Sequence, residues 1–186
     1  VSTKERLLRL LKEKALRFGD FVLASGRSSS YYVNGKLVSL DPEGLYLLSE
    51  VILDTIKDDQ VDAIGGMTLG ADPMVGGVVA LAGQRGVPLR GFIVRKERKD
   101  HGTASQVEGA LKSGDRVVIV EDVSTTGGSS LKAIKVVEEL GCEIVKVIVL
   151  LDRDEGAREN FGRGGYRFEP IFTLRDLGIE VKGTVK

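Results

Sequence analysis

The chain has 186 residues, in which 27 Lys and Arg balance 27 Asp and Glu, and 42% of the residues are hydrophobic. That length suits one ordinary domain with its own core, and the cancelled charge excludes an overall basic field of the kind that drives sequence-independent binding to nucleic acid or anionic membranes. Cys142 alone cannot form an internal disulfide, and neither an N-terminal signal-like apolar core nor an apolar run near the ~20 residues of a membrane span is present, so a soluble cytoplasmic protein is expected. In chain order, Ser2 and Glu5 form a capping-box pattern, and Leu7, Leu8, Leu11 and Ala15 recur at helical spacing behind it. Residues 21–23 and Tyr31-Tyr32-Val33 read as two short strands around a polar turn. Asp41-Pro42 opens a second helix whose stripe, Leu45, Leu48, Ile52 and Ile56, carries it to about Lys57. From Val61 onward short apolar runs alternate with helical segments, which predicts βαβ units and an α/β fold with a mostly parallel sheet. The runs at 61–65, 89–94, 117–120 and 144–151 are the expected strands, with helices at 73–83 and 129–140, the latter stopped by Gly141. The tail from Phe168 is expected to return to the N-terminal elements, and the whole of 1–186 to form a single domain.

The most informative stretch is Val117-Val118-Ile119-Val120-Glu121-Asp122-Val123-Ser124-Thr125-Thr126-Gly127-Gly128-Ser129, a buried strand running through two acids into a hydroxyl- and glycine-rich loop and a helix. Ligands of open α/β sheets bind outside the carboxyl ends of the strands, and a helix N-terminus offers unpaired N–H groups to a phosphate. Ser124, Thr125, Thr126 and Ser129 add hydroxyl donors, while Gly127 and Gly128 let the backbone approach the oxygens. No lysine lies in the loop and no GxGxxG precedes it, which argues against a P-loop nucleotidase and against a dinucleotide site. Glu121 and Asp122 can accept hydrogen bonds from a vicinal diol, so a ribose 5-phosphate fits the whole segment; carboxylates also suit magnesium, directly or through water. As a bare pattern the alternative is a polar turn with two solvated acids.

This segment resembles the phosphoribosyl pyrophosphate motif of type I phosphoribosyltransferases, with Glu121 standing where the family usually has Asp. Three further stretches are similar to the orotate phosphoribosyltransferases of that family: Phe21-Val22-Leu23-Ala24-Ser25-Gly26-Arg27 running on to Tyr31-Tyr32, Arg95-Lys96-Glu97-Arg98-Lys99-Asp100-His101-Gly102-Thr103, and Gly65-Gly66-Met67-Thr68-Leu69-Gly70-Ala71-Asp72-Pro73. The resemblance implies a type I phosphoribosyltransferase-like fold, a parallel central sheet flanked by helices, with a small N-terminal hood built from about 1–40 and the C-terminal tail. It implies transfer of ribose 5-phosphate from 5-phospho-α-D-ribose 1-diphosphate to orotate. Arg95, Lys96, Lys99 and His101, with Glu121, Asp122, Val123, Ser124 and the loop 125–129, are then expected at the phosphoribosyl pyrophosphate. Lys99, His101 and Asp122 are the expected catalytic residues. Thr125, Tyr31, Tyr32 and Arg153 are expected at orotate, Arg153 because a guanidinium pairs with a carboxylate in bidentate fashion. Some members carry a lysine on the substrate phosphates where Ala24 stands here; Lys36 is a nearby lysine whose ammonium the sequence does not place. The resemblance also implies magnesium, held mainly by the substrate and water with no direct protein ligand assigned, and a homodimer whose loop 95–103 completes the neighbouring subunit's site. The rival readings are a purine phosphoribosyltransferase, which the Ser-Gly-Arg hood and Arg153 disfavour, and a regulator of the same fold that binds phosphoribosyl pyrophosphate, which the neutral composition disfavours.

Overall fold

Ser2 caps the first helix in the computed structural model: its hydroxyl accepts from the Glu5 amide at 3.2 Å, and Glu5 Oε2 accepts from the Ser2 amide at 2.6 Å. The structure describes residues 1–22, 26, 28–97 and 106–180. Helix α1 (Thr3–Leu10) buries Leu7 and widens into a π-helical turn, Leu11–Ala15, that buries Leu11 and Ala15. At Leu16 the chain becomes extended and enters β1 (Leu16–Val22), which pairs antiparallel with β2 (Ser28–Val33) as a separate two-stranded sheet. Strand β1 thus starts well before the expected residues 21–23. Its outer residues are too polar and exposed to read as a strand from sequence, and pairing with β2 holds them extended, with a register shift between Phe18 and Phe21.

Helix α2 (Lys36–Ser39) leads out of the hairpin to α3 (Pro42–Ile56). There Asp41 Oδ1 accepts from the Gly44 amide at 2.9 Å, and Leu48, Ile52 and Ile56 are buried as the spacing predicts. Six further strands form the main sheet in the order β5-β4-β3-β6-β7-β8. Strands β3 (Ala63–Met67), β4 (Arg90–Val94), β6 (Arg116–Ser124), β7 (Glu143–Asp152) and β8 (Phe168–Thr173) run parallel, and β5 (Val107–Gly109) runs antiparallel to β4 at one edge. Helices α4 (Asp72–Gln84), α5 (Gly128–Glu139) and α6 (Ala157–Arg163) complete the layers.

Alternation along β6 divides the core. Val118 and Val120 face a cluster with Leu48, Ile52, Met74 and Val78, whereas Val117 and Ile119 face Ala133, Ile134, Val137 and Phe161. Burial on both faces is why the strands read as continuous apolar runs. The tail closes the sheet as β8, and Phe172, Leu174 and Leu177 join the cluster that contains Leu7 and Leu11. The Lys4 ammonium lies 5.6 Å from the Phe172 ring centroid, so the tail does return to the N-terminal helix. Lys146, an unexpected charge in β7, is 1% exposed and is neutralised by Asp59 at 2.5 Å and Glu169 at 3.1 Å. Among the described residues no helix is long and apolar enough to cross a membrane.

Candidate functional site

The strand order reverses between β3 and β6, because β3 connects outward to β4 on one side while β6 connects to β7 and β8 on the other. Such a switch point opens a crevice at the carboxyl ends of the two strands. Four segments leave the sheet at that edge: the turn after β3, residues 95–97 after β4, the loop 125–127 after β6, and Arg153 after β7.

Strand β6 carries the first group of expected residues. It extends through both acids, pairing Glu121 with Val149, Val123 with Leu151 and Ser124 with Asp152. Adjacent strand residues point to opposite faces, so Glu121 and Asp122 part company. Glu121, half-buried, accepts from Ser130 Oγ at 2.6 Å on the α5 side. Burial pushes its carboxyl up to about 7, the Ser130 hydroxyl opposes that rise, and the neighbouring Asp122 charge adds to it. Asp122 is buried on the other face, where Lys36 Nζ lies 2.8 Å from Oδ2. Gly70 closes against the same carboxylate: a Cβ there would fall 2.5 Å from Asp122 Oδ1.

The loop that follows is open to solvent at Thr125, Thr126, Gly128 and Ser129. Gly127 has φ 79° and caps α5, and a Cβ on it would meet the Phe161 ring at 2.7 Å, so glycine is required there on two counts. The Leu131 amide donates to Gly127 O at 2.9 Å, and the amides just before it, at the start of α5, have no helical acceptor of their own. Asn160 of α6 donates from Nδ2 to Thr126 O at 2.8 Å and fixes the loop from outside. Nothing in the sequence distinguished Asn160 from other polar residues of a surface helix. Ser124 is 1% exposed and its Oγ lacks a hydrogen-bond partner among the described residues.

After β3, the Thr68 amide donates to Val94 O at 2.9 Å, and its hydroxyl donates to Asp72 Oδ2 at 2.8 Å, which folds the turn back onto the start of α4. After β4, the Arg95 amide donates to Gln106 O at 2.8 Å and Gln106 Nε2 donates to Arg95 O at 2.9 Å, so the two ends of the excursion are clamped together. Arg95 Nη1 lies 3.3 Å from Glu108 Oε1, and Lys96 is exposed. Lys99 and His101 lie outside the described residues, as do Ser25 and Arg27 of the hood motif.

Arg153 follows Asp152, whose Oδ1 accepts from the Asp154 amide at 3.0 Å and shapes the turn; burial raises the Asp152 carboxyl above its usual range. The Arg153 side chain is 12% exposed and pairs with Glu155 at 3.0 Å. Its guanidinium carbon sits 5.3 Å from the Tyr31 ring centroid, with Nη2 3.4 Å from the Tyr31 hydroxyl. Nε is buried and has no partner among the described residues. Tyr31 and Arg153 therefore come together as a cationic, aromatic corner, whereas Tyr32 is 44% exposed and packs on Phe21 with ring centroids 5.6 Å apart. The structure thus separates the two tyrosines, as alternation along β2 requires.

The arrangement offers amides and hydroxyls to a phosphate, a buried acid to hydroxyls, and an arginine beside an aromatic face to a planar anion. Comparisons with known proteins identify the family. A model of the phosphoribosyl transferase domain matches residues 45–161. The chain is 46% identical over 175 residues to the orotate phosphoribosyltransferase of Methanocaldococcus jannaschii, covering 94% of this chain and 96% of that protein. It is 42% identical over 177 residues to that of Aquifex aeolicus, covering 94% and 97%. A crystal structure of Mycobacterium tuberculosis orotate phosphoribosyltransferase in complex with 5-phospho-α-D-ribosyl 1-diphosphate superposes with a TM-score of 0.81 at 31% identity, covering 96% of this chain and 100% of that one. With a family model over residues 45–161 and relatives 42% and 46% identical along nearly the whole length, the chain belongs to the orotate phosphoribosyltransferase family.

Proposed function

We propose that this crevice transfers ribose 5-phosphate from 5-phospho-α-D-ribose 1-diphosphate to orotate, releasing diphosphate, and that the residues gathered there divide the work. The carrying observation is the convergence at one sheet edge of an open helix-terminus loop, a buried acid and the Tyr31–Arg153 corner. The loop of Thr125, Thr126, Gly127, Gly128 and Ser129 holds the 5-phosphate, and Asp122, with Glu121 behind the loop, serves the ribose hydroxyls. Orotate lies against Tyr31 with its carboxylate toward Arg153, where the buried Nε supplies a donor that nothing among the described residues satisfies. A ring nitrogen of orotate bonds to the anomeric carbon as the bond from that carbon to the diphosphate oxygen breaks, with inversion and no covalent enzyme intermediate, and the proton of that nitrogen is released to water or to the departing diphosphate. Positive charge develops on the ribose and negative charge on the diphosphate as that bond breaks, so the protein's task is chiefly to position the reactants and stabilise charge. Arg95, Lys96, Lys99 and His101 meet the departing diphosphate.

Among the described residues no three His, Cys, Asp or Glu side chains are grouped to hold a metal ion. Glu121 and Asp122 diverge to opposite faces, and Asp122 already has an ammonium partner. A magnesium ion carried mainly by the substrate and water would supply neutralisation of the leaving group's charge. The working unit is a cytoplasmic homodimer with the loop 95–103 shared between subunits. Leu37 of α2, Leu40 just after it and Tyr46 of α3 are exposed apolar side chains that a second copy could cover.

The test is turnover of orotate, uracil, adenine and hypoxanthine with the phosphoribosyl donor and magnesium, in the parent and in Arg153→Ala. Orotate should be consumed far faster than the others. Loss of the guanidinium should weaken orotate binding by on the order of 2–5 kcal/mol, the range for removing one partner of a buried charge pair. Equal turnover of a purine, or orotate affinity unchanged in Arg153→Ala, would overturn the base assignment.

A further inference from the structure

Lys36 is a cation that none of these steps uses. It begins α2, just beyond the hood strand β2, and its amide donates to Asn34 Oδ1 at 3.2 Å, which fixes the turn out of the hood. Its Nζ reaches Asp122 Oδ2 at 2.8 Å; the Asp122 side chain is 9% exposed and that of Lys36 is 36% exposed. Gly35 fits closely over the same acid, since a Cβ there would lie 3.1 Å from Asp122 Cβ and 3.0 Å from Val123 Cγ2. From the other side Gly70 closes on Oδ1. Three segments remote in sequence therefore meet at one carboxylate: the hood exit, the turn after β3 and the end of β6. A carboxylate this deeply enclosed is costly without a counter-charge, and the ion pair with Lys36 supplies one. A carboxylate accepts hydrogen bonds at about four lone-pair positions, so the ammonium leaves acceptor capacity for hydroxyls.

We propose that Lys36 is a positioning residue for ribose recognition: it holds the Asp122 carboxylate in one orientation for the substrate's hydroxyls, and makes that orientation depend on the seating of the hood. The inference rests on the assignment of Asp122 to the ribose. It places the action of Lys36 on a protein carboxylate and not on the substrate phosphates.

A double-mutant cycle separates these roles. Steady-state kinetics are measured for the parent, Lys36→Met, Lys36→Arg, Asp122→Asn and Lys36→Met/Asp122→Asn, each checked by its melting temperature. Lys36→Met should lower kcat/KM for the phosphoribosyl donor about tenfold or more, as expected for a lost charge-assisted hydrogen bond, and leave the KM for orotate within about twofold. Lys36→Arg should recover most of the loss. In the Asp122→Asn background the same Lys36→Met change should cost less than about twofold, because its partner is already gone. Equal fold losses in both backgrounds would identify Lys36 as a direct substrate contact and overturn the proposal, as would a full-strength Lys36→Met enzyme or a parallel rise in the KM for orotate. If Asp122→Asn itself retains full kcat/KM, the ribose assignment fails and the proposal with it; a loss in Asp122→Asn but not in Lys36→Met removes the proposal alone. Should Lys36→Met fail to fold, Lys36→Gln repeats the cycle with a polar side chain of similar reach.

Discussion

Burial pushes the Glu121 carboxyl up to about 7, and that has a consequence for stability as well as chemistry. The unfolded chain releases this proton near the ordinary value of 4.5, so a folded-state value of about 7 favours the fold at low pH. That advantage is complete below the unfolded value and is lost as pH rises through the folded one. At about 1.4 kcal/mol per pH unit, the wild type should lose on the order of 2–3 kcal/mol between pH 5 and pH 8 from this group. Glu121→Gln keeps an acceptor for Ser130 and has no such proton to lose. Its stability relative to wild type, measured by urea unfolding, should therefore climb by that amount across the same interval. A difference that stays flat with pH would show that Glu121 is not held protonated. The motif departure at this position was legible in the sequence, since glutamate stands where the family usually has aspartate. Its contact with Ser130 was not, because it depends on where α5 starts relative to β6. The Lys36–Asp122 pair was hidden for a similar reason, being a contact between residues far apart in the chain that no spacing rule connects.

Strand β6 and the loop behind it show how a local pattern is extended or constrained by its neighbours. The apolar run at 117–120 marked the strand, with the two acids at its end, and β6 continues past them to Ser124. It can do so because β7 keeps pairing with it and because each acid finds a polar partner, Ser130 for Glu121 and Lys36 for Asp122. Helices α3, α4 and α5 were legible because they present apolar stripes or firm end signals, such as Asp41-Pro42 and Gly141, which has φ 82°. Helix α6 was not, since in its seven residues only Ala157 and Phe161 are buried. The short β5 takes its identity from pairing with β4. Within the phosphate loop the structure distinguishes two substitutions that a motif treats alike. Gly127→Val would force a branched side chain into the Phe161 ring at a positive φ, so its effect on ligand binding is inseparable from damage to the α5–α6 packing. Thr126 is exposed, and Thr126→Arg leaves that packing untouched while placing a large side chain over the amides. Calorimetry should show binding of the phosphoribosyl donor lost in Thr126→Arg, with the melting temperature within a few degrees of wild type, since surface substitutions usually fall within about 0.5 kcal/mol. Normal binding by this variant would place the 5-phosphate elsewhere.

At the scale of the whole molecule, the Arg95–Gln106 clamp brackets the segment expected to meet the diphosphate, and an experiment can decide whose site that segment serves. The family resemblance implies the neighbour's. Lys99→Ala damages the loop and Asp122→Asn damages the ribose site, and each is expected to give a weakly active homodimer. Co-refolding the two should mix the subunits. When the loop acts across the interface, a mixed dimer has one site in which an intact Asp122 meets an intact Lys99 and a second site that carries both defects. Random pairing makes about half of the dimers mixed, so activity should approach roughly a quarter of wild type. When the loop serves its own subunit, every site retains one defect, and mixing adds nothing to the parents. Subunit exchange is verified with differently tagged chains, so that a null result has one meaning. Verified exchange without recovered activity would refute the shared site, and recovery near a quarter would establish that each crevice is completed by its partner.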